Sequence, residues 1–134
     1  MKLFLDACAV IYMIESQQEQ GRKTRLLVDE ASKSNAQLVM SRLSLLECRV
    51  LPLKNKNAEL LDCYDRFFRL PGLEIVELDA TVIDIATELG ANHSGSLRTP
   101  DAIQLACAIT SGADQFLTGD KKLVTVKEVK VIVV

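Results

Sequence analysis

Apolar positions along the chain fall into short continuous runs alternating with longer stretches that repeat every three to four residues. Lys2 to Asp6 is of the first kind and predicts a buried strand ending in an acid. Ala9 to Ile14 predicts a short apolar helix. Arg22 to Ser34 predicts an amphipathic helix with Leu26, Leu27 and Ala31 inward. Gln37 to Met40 is a second short strand, and Ser41 is placed to cap a helix that stops near Pro52. Ala58 to Leu70 puts Leu60, Leu61, Tyr64, Phe67 and Phe68 on one helical face, until Pro71-Gly72 breaks it. Leu73 to Leu78 is a third strand. Asp79 then caps a helix carrying Val82, Ile85, Ala86 and Leu89 on one side, with Gly90 as its stop. Thr99-Pro100 opens a further helix, threonine as N-cap and proline in the first turn. Ala102 to Ile109 is apolar nearly all round, which predicts burial. Gln115 to Thr118 and Val129 to Val134 supply the last strands. Strands separated by helices predict an α/β three-layer sandwich with a central parallel sheet of about five strands. Ligands of such sheets bind beyond the carboxyl ends of the strands.

The length of 134 residues suits one domain, 1–134, with one fold. A hydrophobic share of 49% and a charged share of 25% are those of a globular chain and exclude disorder. Every apolar run falls far short of the roughly 20 residues of a membrane-spanning helix, so no membrane association is expected. Asp6 comes too early for a secretory signal, and the expected location is the cytoplasm. Cys8, Cys48, Cys63 and Cys107 form no Cys-x-x-Cys pair and sit beside apolar residues, which predicts buried thiols in a reducing compartment. The only histidine, His93, lies in the loop-like Asn92-His93-Ser94-Gly95-Ser96 and reads as a surface residue rather than part of a triad.

Four acids stand out. Asp6 ends the first strand, and Asp120 follows the strand Gln115 to Thr118 after one glycine, so both reach the same sheet edge. Asp101 opens the most apolar helix, where a buried charge needs a partner. With Arg42 at zero on a wheel of about 100° per residue, Leu46, Val50 and Leu43 fall near 40°, 80° and 100°, and Leu51 near 180°. Glu47 falls at about 140°, inside that apolar arc, and is expected to face inward. Helix capping and turn roles account singly for Asp6, Asp101 and Asp120, and a buried ion pair or a helix-end rim position for Glu47. Converging, they would repel one another without a cation. Oxygen donors with few histidines or cysteines nearby favour Mg²⁺ or Mn²⁺ over zinc.

In four segments the chain resembles PIN-domain proteins, most closely the small VapC-type ribonuclease toxins. They are Leu3-Phe4-Leu5-Asp6, Ser41-Arg42-Leu43-Ser44-Leu45-Leu46-Glu47, Pro100-Asp101-Ala102-Ile103-Gln104-Leu105-Ala106 and Phe116-Leu117-Thr118-Gly119-Asp120. Their order and spacing span essentially the whole chain. The resemblance implies that Asp6, Glu47, Asp101 and Asp120 bind metal and carry catalysis, with Thr118 a supporting hydroxyl. The activity it implies is a Mg²⁺-dependent endoribonuclease, the toxin of a toxin–antitoxin pair. RNA is then the substrate, an antitoxin protein a partner, and a homodimer the expected assembly. A partner is expected to cover part of the surface around Arg22 to Ala31 and Ala58 to Leu70, either the antitoxin or a second copy of the chain through the same helix. Two positions depart from the family pattern: Ala7 and Cys8 follow the first acid where a hydroxyl or polar residue is usual, and Gly119 stands where asparagine is frequent.

The net charge of −2, from 16 basic and 18 acidic side chains, is not that of a strongly basic nucleic-acid binder. Local clusters at Arg22, Lys23 and Arg25, at Lys54 and Lys56, and at Lys121 and Lys122 offset it. Arg98, close to Asp101, is the basic residue expected nearest RNA. Three other readings compete. A catalytically inactive PIN-fold binding module would keep the fold alone. A phosphorelay receiver-like Mg²⁺-binding domain would need adjacent acids after the first strand, where only Asp6 stands. A dehalogenase-type phosphatase would need an aspartate where Cys8 is found.

Overall fold

The computed structural model describes residues 1–134. Five strands run β1 (Lys2–Leu5), β2 (Gln37–Ser41), β3 (Glu74–Val76), β4 (Gln115–Thr118) and β5 (Lys130–Val133). All are parallel, in the order β3-β2-β1-β4-β5. Six α-helices connect them: α1 (Ala7–Glu15), α2 (Glu19–Lys33), α3 (Arg42–Lys54), α4 (Ala58–Phe68), α5 (Ala80–Asn92) and α6 (Thr99–Thr110). A short 3-10 helix, Lys121–Thr125, follows β4.

Side chains alternate across a strand, and the two faces of the sheet bury separate cores. Phe4, Val39 and Phe116 face α5 and α6, among Val82, Leu89, Leu105 and Leu123. Leu3, Leu5, Met40 and Leu117 face the helices α1 to α4, among Val10, Val28, Tyr64 and Phe68. This confirms the predicted three-layer sandwich. The order of strands reverses direction at β1, with β4 on its free side, so the ends of β1 and β4 border the crevice where such sheets bind ligands.

Several local expectations are corrected. Leu26 points to solvent, because Gly21, Thr24, Val28 and Ala31 form the inner face of α2 and Leu26 lies opposite. Small residues are needed there: a Cβ on Gly21 would lie 2.2 Å from the Ser16 carbonyl oxygen. Pro52 is inside α3 rather than at its end. Gly90 does not stop α5, which runs on to Asn92. Its cap is His93, whose ring is mostly sheltered against Glu128 at 3.0 Å rather than free on a loop. Thr99 is the first helical residue of α6 and Arg98 is its N-cap. Cys48 and Cys107 are buried, and burial pushes both thiols up to about 12, whereas Cys63 is exposed. Tyr64 and Phe68 are core residues, and the Tyr64 hydroxyl donates to the Glu15 carboxylate. Core packing therefore accounts for Tyr64 and Phe68, while Phe67 is half-buried.

The apolar arc of α3 is the largest reversal. Leu46, Val50, Leu51 and Leu53 are exposed, and the helix buries Ser44, Cys48 and Pro52 instead.

Candidate functional site

Asp6 is the innermost of the four acids, 7% exposed. It leaves β1 and caps α1: its Oδ1 accepts from the Ala9 N–H at 2.8 Å. Its own N–H donates to the Leu117 carbonyl at 3.2 Å, which pins it against β4. Burial pushes its carboxyl up to about 6, the Thr118 hydroxyl and the Ala9 N–H pull the other way, and Glu47 and Asp101 add repulsion. The same Thr118 hydroxyl accepts from the Asp120 N–H at 3.0 Å. Thr118 thus ties the first acid to the loop carrying the fourth. Asp120 in turn caps the 3-10 helix, accepting from the Lys122 N–H at 2.9 Å.

Asp101 reaches back to the start of its helix. It accepts from the Arg98 N–H at 3.2 Å, and the guanidinium donates to both its oxygens at 3.2 and 3.3 Å. The helix-cap role and the cluster role therefore coincide in one carboxylate. Arg98 senses Asp101 most strongly, then Asp120 and Glu47. An open cleft lined by Ser96, Arg98, Asp101, Asp120, Lys122 and Thr125 gives access from solvent.

Glu47 is half-buried on α3, one turn beyond Ser44, and its Oε1 accepts from Gln104 Nε2 at 2.9 Å. Its place beside the other acids follows from this contact and not from an apolar helix face. Gln104, Ser41 and Ser44 form a buried polar group, of which the sequence pattern marks only Ser41, as a cap. The signal for Gln104 was an amide inside an otherwise apolar run.

The structure thus brings Asp6, Glu47, Asp101 and Asp120 around the carboxyl ends of β1 and β4. No three His, Cys, Asp or Glu side chains close tightly enough to hold an ion as they stand. The donor set nonetheless fits a hard divalent cation: all four groups are carboxylates, and the buried Asp6 is repelled by Glu47 and Asp101.

Both departures from the family pattern meet at this site. A Cβ on Gly119 would lie 2.5 Å from the Tyr12 ring and 2.7 Å from Cys8 Sγ. Cys8 and Tyr12 fill the space that a side chain at 119 would need. Burial and Asp6 push the Cys8 thiol up, against its hydrogen bonds to Tyr12 and the Gly119 backbone.

The sequence model of the PIN domain matches residues 3–129. No curated protein sequence matches the chain significantly. Among solved structures, VapBC2 of Rickettsia felis, bound to a DNA fragment from its promoter, is similar with a TM-score of 0.79 and 19% identity, covering 98% of both chains. FitAcB of Neisseria gonorrhoeae gives 0.76 and 17% identity over 97% of this chain and 96% of its own. VapC20 of Mycobacterium tuberculosis, a toxin that cleaves the sarcin-ricin loop, gives 0.73 and 14% identity over 96% and 98%. At these identities the likeness shows the fold.

Proposed function

Because the chain belongs to the PIN domain family, matched over residues 3–129, we propose that it is a metal-dependent endoribonuclease and the toxin of a toxin–antitoxin pair. The observation that carries this reading is Asp6, a carboxylate buried at the carboxyl edge of the sheet with Glu47 and Asp101 raising its proton affinity further. Asp6, Glu47, Asp101 and Asp120 would hold Mg²⁺ or Mn²⁺. When bound, such an ion neutralises charge on a phosphodiester and makes water more acidic.

The chain's own groups do the rest. Thr118 orients Asp6 and the Asp120 loop together. Arg98 and Lys122 line the cleft over the acids and supply positive charge to a phosphate backbone, which the net charge of −2 does not. No side-chain nucleophile is needed, and Cys8 is a poor one because its thiol is pushed up.

The test is purified protein with labelled RNA. Cleavage in Mg²⁺ or Mn²⁺ that stops in EDTA and resumes when metal is restored is expected. Cleavage indifferent to EDTA would overturn the reading, and metal binding without cleavage would select the inactive binding module.

Two protein partners complete the proposal. An antitoxin is supported by the similar structures that are toxin–antitoxin complexes, including one from Klebsiella pneumoniae and a DNA-bound VapBC from Salmonella typhimurium. Self-association is supported by α3, where Leu46, Val50 and Leu53 stand one or two turns apart at 58, 55 and 66% exposure. A dimer in sedimentation is expected, and Val50→Asp with Leu53→Asp should yield a folded monomer, its melting temperature lowered only by the loss of association. A wild-type monomer, or a dimer indifferent to both changes, would remove α3 from the interface.

A further inference from the structure

Gln104 is the one polar side chain that α6 buries, 4% exposed between Ile103 and Leu105. Burying an amide without partners costs several kcal/mol on the least forgiving scales, so the bonds it makes are informative. The Ser41 hydroxyl donates to Oε1 at 2.7 Å. Nε2 donates one hydrogen to Ser44 Oγ at 3.0 Å and the other to Glu47 Oε1 at 2.9 Å. Both N–H bonds of the amide are then used. Turned over, the amide would set its oxygen against a carboxylate oxygen, two acceptors facing each other. The orientation is therefore fixed by Glu47, a carboxylate that only accepts, since the serine hydroxyls can either donate or accept.

The placement matters as much as the bonds. Gln104 lies one turn after Asp101 on α6, and Glu47 lies one turn after Ser44 on α3. Ser41 ends β2 and caps α3, accepting from the Ser44 N–H at 3.3 Å. One side chain thus joins the two helices that carry two of the four acids to the end of a central strand.

We infer that Gln104 is a positioning residue: through its hydrogen bond it holds the Glu47 carboxylate at the acid cluster, and with Ser41 and Ser44 it sets the spacing of Glu47 from Asp101. This rests on the reading of the four acids as a cation site. A carboxylate on a half-exposed helix face has several rotamers open to it. Holding it in one of them lowers the cost of gathering the donors around an ion. Hydrogen-bond partners that orient metal ligands in this way typically change metal affinity by about 10–100-fold when removed.

The experiment measures the dissociation constant of Mn²⁺ by calorimetry on the full chain. Gln104→Met, chosen because an unbranched side chain fills the space, is expected to weaken binding by about tenfold. Ser44→Ala, which leaves Glu47 and Gln104 in place but removes one anchor, should weaken it in the same direction and by less. In a Glu47→Ala background, Gln104→Met should change the affinity no further, because its effect passes through Glu47.

A residue that merely staples α6 to α3 would lower the melting temperature and leave the Mn²⁺ constant alone. Wild-type affinity in Gln104→Met, or equal weakening with and without Glu47, would overturn the inference. Should Gln104→Met not fold, wild-type affinity in Ser44→Ala would do the same. A wild-type protein that binds no Mn²⁺ would instead remove the cation site itself.

Discussion

Asp6→Asn should destroy cleavage and, without metal, make the protein more stable. Losing one carboxylate from the proposed cation site should cost RNA cleavage on the order of 10³-fold or more, several kcal/mol of transition-state stabilisation. The stability effect follows from burial. The folded state raises the Asp6 carboxyl from 3.8 to about 6. That rise corresponds to roughly 3 kcal/mol of cost once the group is ionised.

The folded protein holds this proton more tightly than the unfolded chain does. The stability contributed by this group is therefore greatest below about pH 4 and declines as pH rises towards 6 and beyond. Asparagine removes that decline and keeps an oxygen for the Ala9 N–H. In EDTA near pH 8, Asp6→Asn is expected to exceed wild type by about 1–3 kcal/mol, with the gap closing towards pH 4. Denaturant unfolding at both pH values checks it. A variant less stable than wild type at pH 8 would mean that the charge of Asp6 is compensated within the protein. Asp101 is the poorer position for this test, since its carboxylate binds Arg98 and caps α6.

The second large effect is in the core beneath the site. Phe4 and Phe116 stack across β1 and β4, ring centroids 5.3 Å apart and planes 8° from parallel, both without exposure. Their strands deliver Asp6 and Asp120 to the same edge, with Phe4 paired to Phe116 in register. Phe116→Ala should cost about 3–5 kcal/mol, from lost burial and the cavity left behind. A domain of ordinary stability would then be largely unfolded on warming. Because the variant strikes the frame and not the acids, the folded fraction should retain Mn²⁺ affinity when stabilised by osmolyte or low temperature. A loss under about 1 kcal/mol would show that the helices refill the space.

Strand and helix order were legible because each strand is a short apolar run and each helix repeats at its own period. Asp6 and Asp120 were legible for the same reason: an acid one or two residues past a buried strand has nowhere to go but the sheet edge. Glu47 was found on a false premise. Its helix carries Leu46, Val50, Leu51 and Leu53 outward and packs through Ser44, Cys48 and Pro52. Hydrophobic periodicity marks a face that avoids water; it does not say whether the chain's own sheet or another surface covers it.

Gln104 stands out in sequence as an amide in an apolar run, but its partners Ser41, Ser44 and Glu47 could not be read because they lie 63, 60 and 57 residues away. The helix ends were misplaced where a side chain overruled a propensity. Asp101 serves the N-terminus of α6 from its first turn, which leaves Thr99 free to be helical. Gly90 lacks the positive φ that ends helices, and the backbone continues to His93.

Central to the proposed function is that Asp6, Glu47, Asp101 and Asp120 form one cation site. Calorimetric titration of Mn²⁺ into wild type and into Asp6→Asn, Glu47→Gln, Asp101→Asn and Asp120→Asn tests it most directly. Saturable binding by wild type, weakened by about tenfold or more in each of the four variants, is the predicted result. Binding that survives unchanged in any one of them would take that residue out of the site, and wild type without saturable binding would contradict the claim as a whole.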